Sequence, residues 1–289
     1  MKPAPFDYVA PRSVEEACAV LAEAGGGATV IAGGQTLVPL LNLRMSQPFI
    51  LVDITRIEAM KGVRRTDGGI WVGPATRQAD ALADPTLAEH LPAFTAALRH
   101  VGHYQTRNRG TVGGSVALGE PAAEMPATAV ALGARIEITS ASGTRTVPAD
   151  EFYLGPYMTV LEPDELVTGI VYPDWAAGHV VLFREVAQRP GDFALVGMVG
   201  ALELRGGTIA RAGLGLFGMG PTPVKARQAE AALVGATLDA LDPRAVADLA
   251  VADCAPFDDH HASAEYRRTV GRRIVAGTLR EALALKEAA

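Results

Sequence analysis

The chain has 289 residues, 49% hydrophobic and 20% charged, with a formal net charge of −6 at pH 7. That length buries a large core and admits one large domain or two to three small ones. The negative charge argues against nucleic acid or an anionic membrane as the main partner, and no apolar run reaches the ~18 residues that span a bilayer. Two cysteines occur, Cys18 and Cys254, both inside apolar helical patterns and without a CxxC series. They read as buried, reduced thiols, and they give the chain no ligand set of its own for an iron–sulfur cluster or a structural zinc. The first residues, MKPAPFDYVAP, place prolines and an aspartate where a secretory signal has its apolar stretch. The expectation is a cytoplasmic protein with no membrane span.

SVEEACAVLAEAG (13–25) predicts a helix: Ser13 and Glu16 have capping-box spacing, apolar residues recur at helical intervals, and Gly25 stops it. ATVIA (28–32) predicts a short buried strand running into Gly33-Gly34, and FILVDI (49–54) a second strand. GIWVG (69–73) is strand-like, whereas TRQADALAD (76–84) and PAFTAALRHV (92–101) are helical. A second glycine pair follows in RNRGTVGGSVALGEPAAEMPA (107–127). RIEITS, GTRTVP and ELVTGIVYP, within 135–173, are strands separated by turn signals. Beyond Pro173 and Gly178 lie three closely spaced strands, HVVLFREVAQ, LVGMVGALELR and TIARAGLGLFG. Helices near 223–234, 243–254 and 263–286 end the chain. The fold class is therefore α+β in three consecutive units, 1–57, 58–177 and 178–289.

The two glycine pairs carry the functional signal. A diphosphate needs donors that approach closely, and backbone N–H groups in a glycine turn supply them because no Cβ intervenes. AGGQT (32–36) leaves a strand, with Thr36 placed to cap the turn that follows. TVGGS (111–115) offers the same chemistry with a hydroxyl at each end. Either pair alone is also explained as an ordinary turn; together they suggest two loops closing on one anion. The dinucleotide fingerprint GxGxxG does occur, Gly213 to Gly218, but inside a strand-like run followed by MGPTP, so it reads as a strand end and a turn.

FDYVAPRSVEEACAVLAEAG, AGGQTLVPLLNLRMSQP, RNRGTVGGSVALGEPAAEMPA, YMTVLEPDELVTGIVYP and SAEYRR resemble, in order, the FAD-binding medium subunit of molybdenum hydroxylases, the family of carbon monoxide dehydrogenase and the xanthine dehydrogenase-like enzymes. The resemblance spans essentially the whole chain. It implies a two-subdomain FAD-binding fold of the PCMH type followed by a C-terminal α+β domain with an antiparallel sheet and helices. It also implies non-covalent FAD held by Ala32, Gly33, Gly34, Gln35 and Thr36 and by Thr111, Gly113, Gly114 and Ser115. Glu124 matches a carboxylate that contacts the ribityl hydroxyls, Phe193 an aromatic beside the isoalloxazine, and Leu166 and Val167 a wall of the ring. Without the resemblance, Glu124 is equally a solvated residue of a first helical turn, and Phe193, Leu166 and Val167 are equally core. Where family members often read HADP this chain reads LGEP, so Leu118 and Glu120 replace a histidine and an aspartate.

The implied function is an electron-transfer subunit. Molybdopterin would sit on a large partner subunit and 2Fe–2S clusters on a small one, the complex being a dimer of heterotrimers (a heterohexamer) that passes electrons to an external acceptor. Two alternatives stand beside it: a self-contained FAD reductase resembling the enolpyruvyl-glucosamine reductase, and a flavin-free accessory protein. No catalytic side chain is expected, because the flavin carries the redox chemistry, and no metal ligand. DDHH (258–261) and His100…His103 look metal-like but lack further ligands at fitting spacing. Arg107 and Arg109 stand beside the second glycine loop, either to balance a diphosphate or to pair with carboxylates that fix the loop.

Overall fold

The structure is a computed structural model describing residues 1–287, so the last two residues of the third expected unit lie outside the described residues. The chain opens with β1 (Asp7–Val9), α1 (Val14–Ala24), β2 (Ala28–Ile31), α2 (Leu37–Asn42) and β3 (Ile50–Asp53). Helix α1 starts as its sequence predicts. Ser13 Oγ accepts from the Glu16 N–H at 3.1 Å, and the Glu16 carboxylate reaches back to the Arg12 N–H at 2.8 Å. Gly25, in the left-handed region at φ +54°, ends it. Both β1 and β2 pair in parallel with β3, giving a three-stranded sheet in the order β1-β3-β2. Ala17, Cys18 and Leu21 of α1 pack on Val52, Ile54, Ile57 and Met60 beneath it.

The middle of the chain forms β4 (Val63–Thr66), β5 (Gly69–Val72), six helices, α3 (Gln78–Ala83), α4 (Pro85–His90), α5 (Pro92–Leu98), α6 (Tyr104–Arg107), α7 (Val112–Leu118) and α8 (Glu124–Leu132), and then β6 (Arg135–Ser140), β7 (Gly143–Pro148), α9 (Ala149–Phe152), β8 (Tyr153–Gly155), β9 (Met158–Thr159) and β10 (Leu166–Tyr172). Strands β4-β5-β10-β6-β7 make an antiparallel sheet, and the helices cover its face with Phe94, Leu98, Val116, Met125 and Phe152 in the core. β10 ties two cores together. Side chains alternate along a strand, so Leu166 enters the core under the parallel sheet while its neighbour Val167 enters the core of the antiparallel one.

The chain then forms β11 (Val180–Ala187), β12 (Ala194–Arg205), β13 (Thr208–Phe217), β14 (Val224–Lys225), α10 (Arg227–Leu233), α11 (Pro243–Ala252) and α12 (Ala264–Glu287). The four strands pair antiparallel in chain order, and Leu182, Met198, Leu214, Val246, Val275 and Leu279 build a separate core between sheet and helices.

Helix α8 is the keystone between the two antiparallel sheets. All nine of its residues are buried, the pattern of a helix packed on every side. It explains the GxGxxG run: a Cβ on Gly213 would lie 2.2 Å from the Ala131 carbonyl oxygen, and one on Gly215 2.8 Å from that of Ala127. These glycines let β13 press against the alanines of α8, and Gly218, at φ +68°, makes the turn after the strand. One sequence expectation is corrected here. Gly113 and Gly114 are not in a turn beside a strand; they lie in the first turn of α7, capped by Thr111.

Candidate functional site

A cleft of about 550 Å³ opens where the three sheets meet, within the size range of cofactor pockets. All thirteen residues expected to hold FAD line it, Leu166 and Val167 as buried strand residues. The structure thus brings together the loop 32–36, the segment 111–115, Glu124, Leu166, Val167 and Phe193.

The two glycine pairs play different parts. In the loop from Gly33 to Thr36, none of the four backbone N–H groups has an acceptor among the described residues, while the loop's carbonyls are used: Gly34 accepts from Val38 N–H at 3.0 Å and Thr36 from Leu40 N–H at 3.2 Å. Gly34, at φ +68°, turns the chain here. Gly33, Gly34 and Thr36 are half-buried and Gln35 is exposed, so these four free donors beside the cleft are open to an anionic ligand. Thr36 does not cap α2 through its side chain as expected. It is itself in the right-handed helical region, which leaves its hydroxyl free for a ligand.

The second pair is a spacer rather than a matching row of donors. Val112 N–H donates to Thr76 O at 3.0 Å, Gly113 N–H to Pro74 O at 2.9 Å, and Gly114 N–H to Thr111 Oγ1 at 3.1 Å. A Cβ on Gly113 would lie 2.1 Å from Pro74 Cβ. The pair therefore lets α7 sit against the 73–78 segment and brings Ser115 to the cleft. The jaws meet directly: a Cβ on Gly33 would fall 2.3 Å from Arg109 O and 2.6 Å from Gly110 Cα.

Arg107 neither meets a carboxylate nor enters the cleft. Its guanidinium donates to Val101 O at 2.9 Å and Gly102 O at 3.0 Å, fixing the turn before the second jaw. Arg109 is exposed, and its backbone rather than its charge forms the junction with Gly33.

Glu124 begins α8 and is 3% exposed, which removes the solvated alternative. Burial, reinforced by the negative charge of Glu185, pushes its carboxyl up to about 8. At neutral pH it is mainly a neutral acid, able to donate as well as accept, where the sequence suggested a carboxylate that only accepts. Glu185 is held in turn by His100, Nδ1 to Oε1 3.1 Å.

Phe193 precedes β12 and is 56% exposed, so it is no core residue; it offers an open aromatic face at the cleft. The turn that carries it is anchored from behind: a Cβ on Gly191 would lie 2.4 Å from the His103 ring, and buried Arg267 donates to Gly218 O at 2.9 Å and to Leu195 O. Arg267 also pairs with Asp259 at 2.7 Å. That employs the first arginine of YRR and one aspartate of DDHH in structure, and among the described residues no three His, Cys, Asp or Glu side chains group to hold a metal.

Both departures from the family pattern line the cleft. Leu118 adds apolar surface, and Glu120 accepts from Ala122 N–H at 3.0 Å and from the Tyr157 hydroxyl. Gln78, Thr106, Leu161 and Asp192 also line the wall, with no signal in the sequence that singles them out as cleft residues; they lie far apart along the chain.

Known proteins share this architecture. Residues 4–175 match the family model described as the FAD binding domain in molybdopterin dehydrogenase, and residues 181–282 that of the CO dehydrogenase flavoprotein C-terminal domain. The chain is 39% identical to the 6-hydroxypseudooxynicotine dehydrogenase complex subunit alpha of Paenarthrobacter nicotinovorans, over 98% of this chain and 96% of that one. It is 34% identical to the carbon monoxide dehydrogenase medium chain of Hydrogenophaga pseudoflava, over 98% and 99% of the two chains. A solved structure of carbon monoxide dehydrogenase from that organism, lacking the Mo-pyranopterin moiety of its cofactor, superposes with a TM-score of 0.94 at 37% identity, covering 98% of this chain and 99% of the other.

Proposed function

We propose that this chain, which belongs to the family of FAD-binding medium subunits of molybdenum hydroxylases, binds FAD in the cleft between its sheets and passes electrons through it from a partner's iron–sulfur clusters to an external acceptor. The observation that carries the reading is the row of acceptor-free amides from Gly33 to Thr36. A diphosphate supplies the acceptors that this row lacks, and the cleft beyond it is large and largely apolar, as an isoalloxazine requires.

When bound, FAD supplies reversible two-electron chemistry at its ring. The chain's own residues bind and orient. Gly33, Gly34, Gln35 and Thr36 take the diphosphate with their N–H groups, while Thr111, Gly113, Gly114 and Ser115 form the opposing jaw. Ala32 ends the strand that delivers the first loop. Glu124 meets the ribityl hydroxyls as a neutral acid. Leu166 and Val167 would exclude water from the apolar side of a bound isoalloxazine, and Phe193 would offer it an open aromatic face. On this reading residues 1–57 and 58–177 are the two FAD-binding subdomains and 178–289 the domain that closes over them.

The partners in this reading are a molybdopterin-binding large subunit and an iron–sulfur small subunit in a cytoplasmic dimer of heterotrimers. Exposed apolar side chains support it. Leu43, Met45 and Phe49 are 55%, 74% and 79% exposed within one short stretch, and surface of that kind is commonly covered by another chain. No helix among the described residues is long and apolar enough to cross a membrane. Affinity purification from the native host should bring down two further chains, one with molybdenum and one with iron, in a particle about twice the mass of one heterotrimer. Recovery of the chain alone as a monomer would contradict the assembly.

A further inference from the structure

We propose that Arg145, which does not itself line the cleft, is a positioning residue of the cofactor site: its pairing with Glu165 lets a bound FAD cover that carboxylate. This rests on the FAD reading above. The described residues lining the cleft include the carboxyl groups of Glu120, Glu124, Glu165 and Asp192, and no lysine, arginine or histidine. Glu165 is fixed there by its own turn, which leads into β10. Its N–H donates to Glu162 O at 3.0 Å, and Glu162 N–H donates to its Oε2 at 2.9 Å. The Glu165 side chain is only 11% exposed.

A cation reaches this carboxylate from β7, the edge strand of the antiparallel sheet. Arg145 Nε donates to Glu165 Oε1 and Arg145 Nη2 to Oε2, both at 2.6 Å, the two-pronged pairing that a planar guanidinium makes with a carboxylate. The same Nη2 donates to Val160 O at 2.7 Å. Arg145 thus grips both ends of the stretch 160–165, which carries Leu161 into the cleft wall. Register places it there: Arg145 stands opposite Ile138 of β6, and Ile138 opposite Val167 of β10, so the three share one face of the sheet. These hydrogen bonds hold the Glu165 carboxyl below the usual range, and at neutral pH it is an anion.

A ligand that fills the cleft takes water away from whatever lines it. A carboxylate already paired with a guanidinium tolerates this, whereas an unpaired one loses its hydration without compensation. A diphosphate adds negative charge to a lining that has no cation, so an unpaired Glu165 would also repel it. Both effects act on binding more than on folding, because the open cleft gives an unpaired Glu165 access to water. The pair is asymmetric in consequence. Losing the arginine strands a charge in the wall, but neutralising the glutamate releases a guanidinium whose side chain is 42% exposed.

The test compares Arg145→Met, Glu165→Gln and the variant carrying both, each as the full-length chain freed of FAD. Dissociation constants are read by flavin fluorescence, with circular dichroism and the unfolding temperature as controls for folding. Arg145→Met should raise the FAD dissociation constant by about 10–100-fold. Glu165→Gln should stay within about threefold of wild type, and adding it to Arg145→Met should restore binding to about that level. Arg145→Leu should match Arg145→Met, which guards against a defect peculiar to methionine. A merely structural ion pair would lower the unfolding temperature and leave FAD affinity unchanged, and that result overturns the proposal. So does a double variant that binds as weakly as Arg145→Met, or a loss in Glu165→Gln as large as that in Arg145→Met. Failure of the wild-type chain to bind FAD would instead overturn the FAD reading itself.

Discussion

Gly33→Ala is expected to lower FAD affinity at least tenfold while leaving the three cores folded. The added methyl meets backbone, 2.3 Å from Arg109 O and 2.6 Å from Gly110 Cα, and neither atom can rotate aside as a side chain would. The strain of an inserted methylene in a tight contact is about 1–3 kcal/mol, and here it is relieved by parting the two jaws. Parting them moves the amides of 33–36 away from the opposing segment, so ligand binding suffers more than stability. Near-wild-type circular dichroism with an FAD dissociation constant raised at least tenfold would be the matching result. An unchanged dissociation constant would mean that the contact between the jaws does not shape the site. Gly113→Ala makes the contrast, because its methyl would strike Pro74 and disturb the seating of α7, a packing defect felt in stability as well.

The second large effect concerns Glu124 and pH. Its carboxyl sits at about 8 when folded and near 4.5 when unfolded, raised first by burial and then by the charge of Glu185. Below about pH 4.5 both states hold the proton and the residue does not affect the balance. Between that pH and 8 the unfolded chain releases its proton and the folded chain keeps it, so wild-type stability falls as pH rises and levels off above 8. Glu124→Gln cannot ionise. Relative to wild type it should therefore gain stability steadily from pH 5 to pH 8, by about 2–4 kcal/mol at the upper end. Urea unfolding of FAD-free protein at both pH values reads this directly, and a difference between the two proteins that is independent of pH would show that the carboxyl ionises normally. At pH 7 the same variant should bind FAD within about threefold of wild type, since a neutral acid and an amide both donate and accept. Glu124→Ala should lose about 1–3 kcal/mol of FAD binding.

Much of the fold was legible because local and global signals agree. The capping serine, the acidic partner three residues on and the left-handed Gly25 each specify α1 independently, and the alternating runs of β10 to β13 each met a partner in register. Of the helices between 104 and 132, only the start of α8 at Glu124 was legible. Glycine disfavours helix, yet α7 forms through Gly113 and Gly114, because Thr111 caps it and only a residue without a side chain fits against Pro74. Helix α8 has no polar face to betray its period, being buried on all sides.

The site divides in the same way. The first loop was readable from chemistry, since a strand running into two glycines exposes amides whatever surrounds it. That the second pair spends its amides within the protein depends on Pro74 and Thr76, some forty residues earlier in the chain. The raised pKa of Glu124 comes from its burial among distant elements, with the charge of Glu185 adding to it, and neither has a signature in one dimension. The family resemblance pointed to Leu166, Val167 and Phe193, which do line the cleft, whereas their apolar side chains alone read as core, where Leu166 and Val167 also lie. The relationship over the full length also leaves the self-contained reductase and the flavin-free accessory protein without an observation in their favour.

The most direct measurement is the visible absorption spectrum of the purified full-length chain, followed by that of the supernatant after acid precipitation. Flavin bands on the protein, released by acid in a ratio of one FAD per chain, are the predicted result. A colourless chain that takes up no added FAD would contradict the assignment of the cleft and of the amides from Gly33 to Thr36.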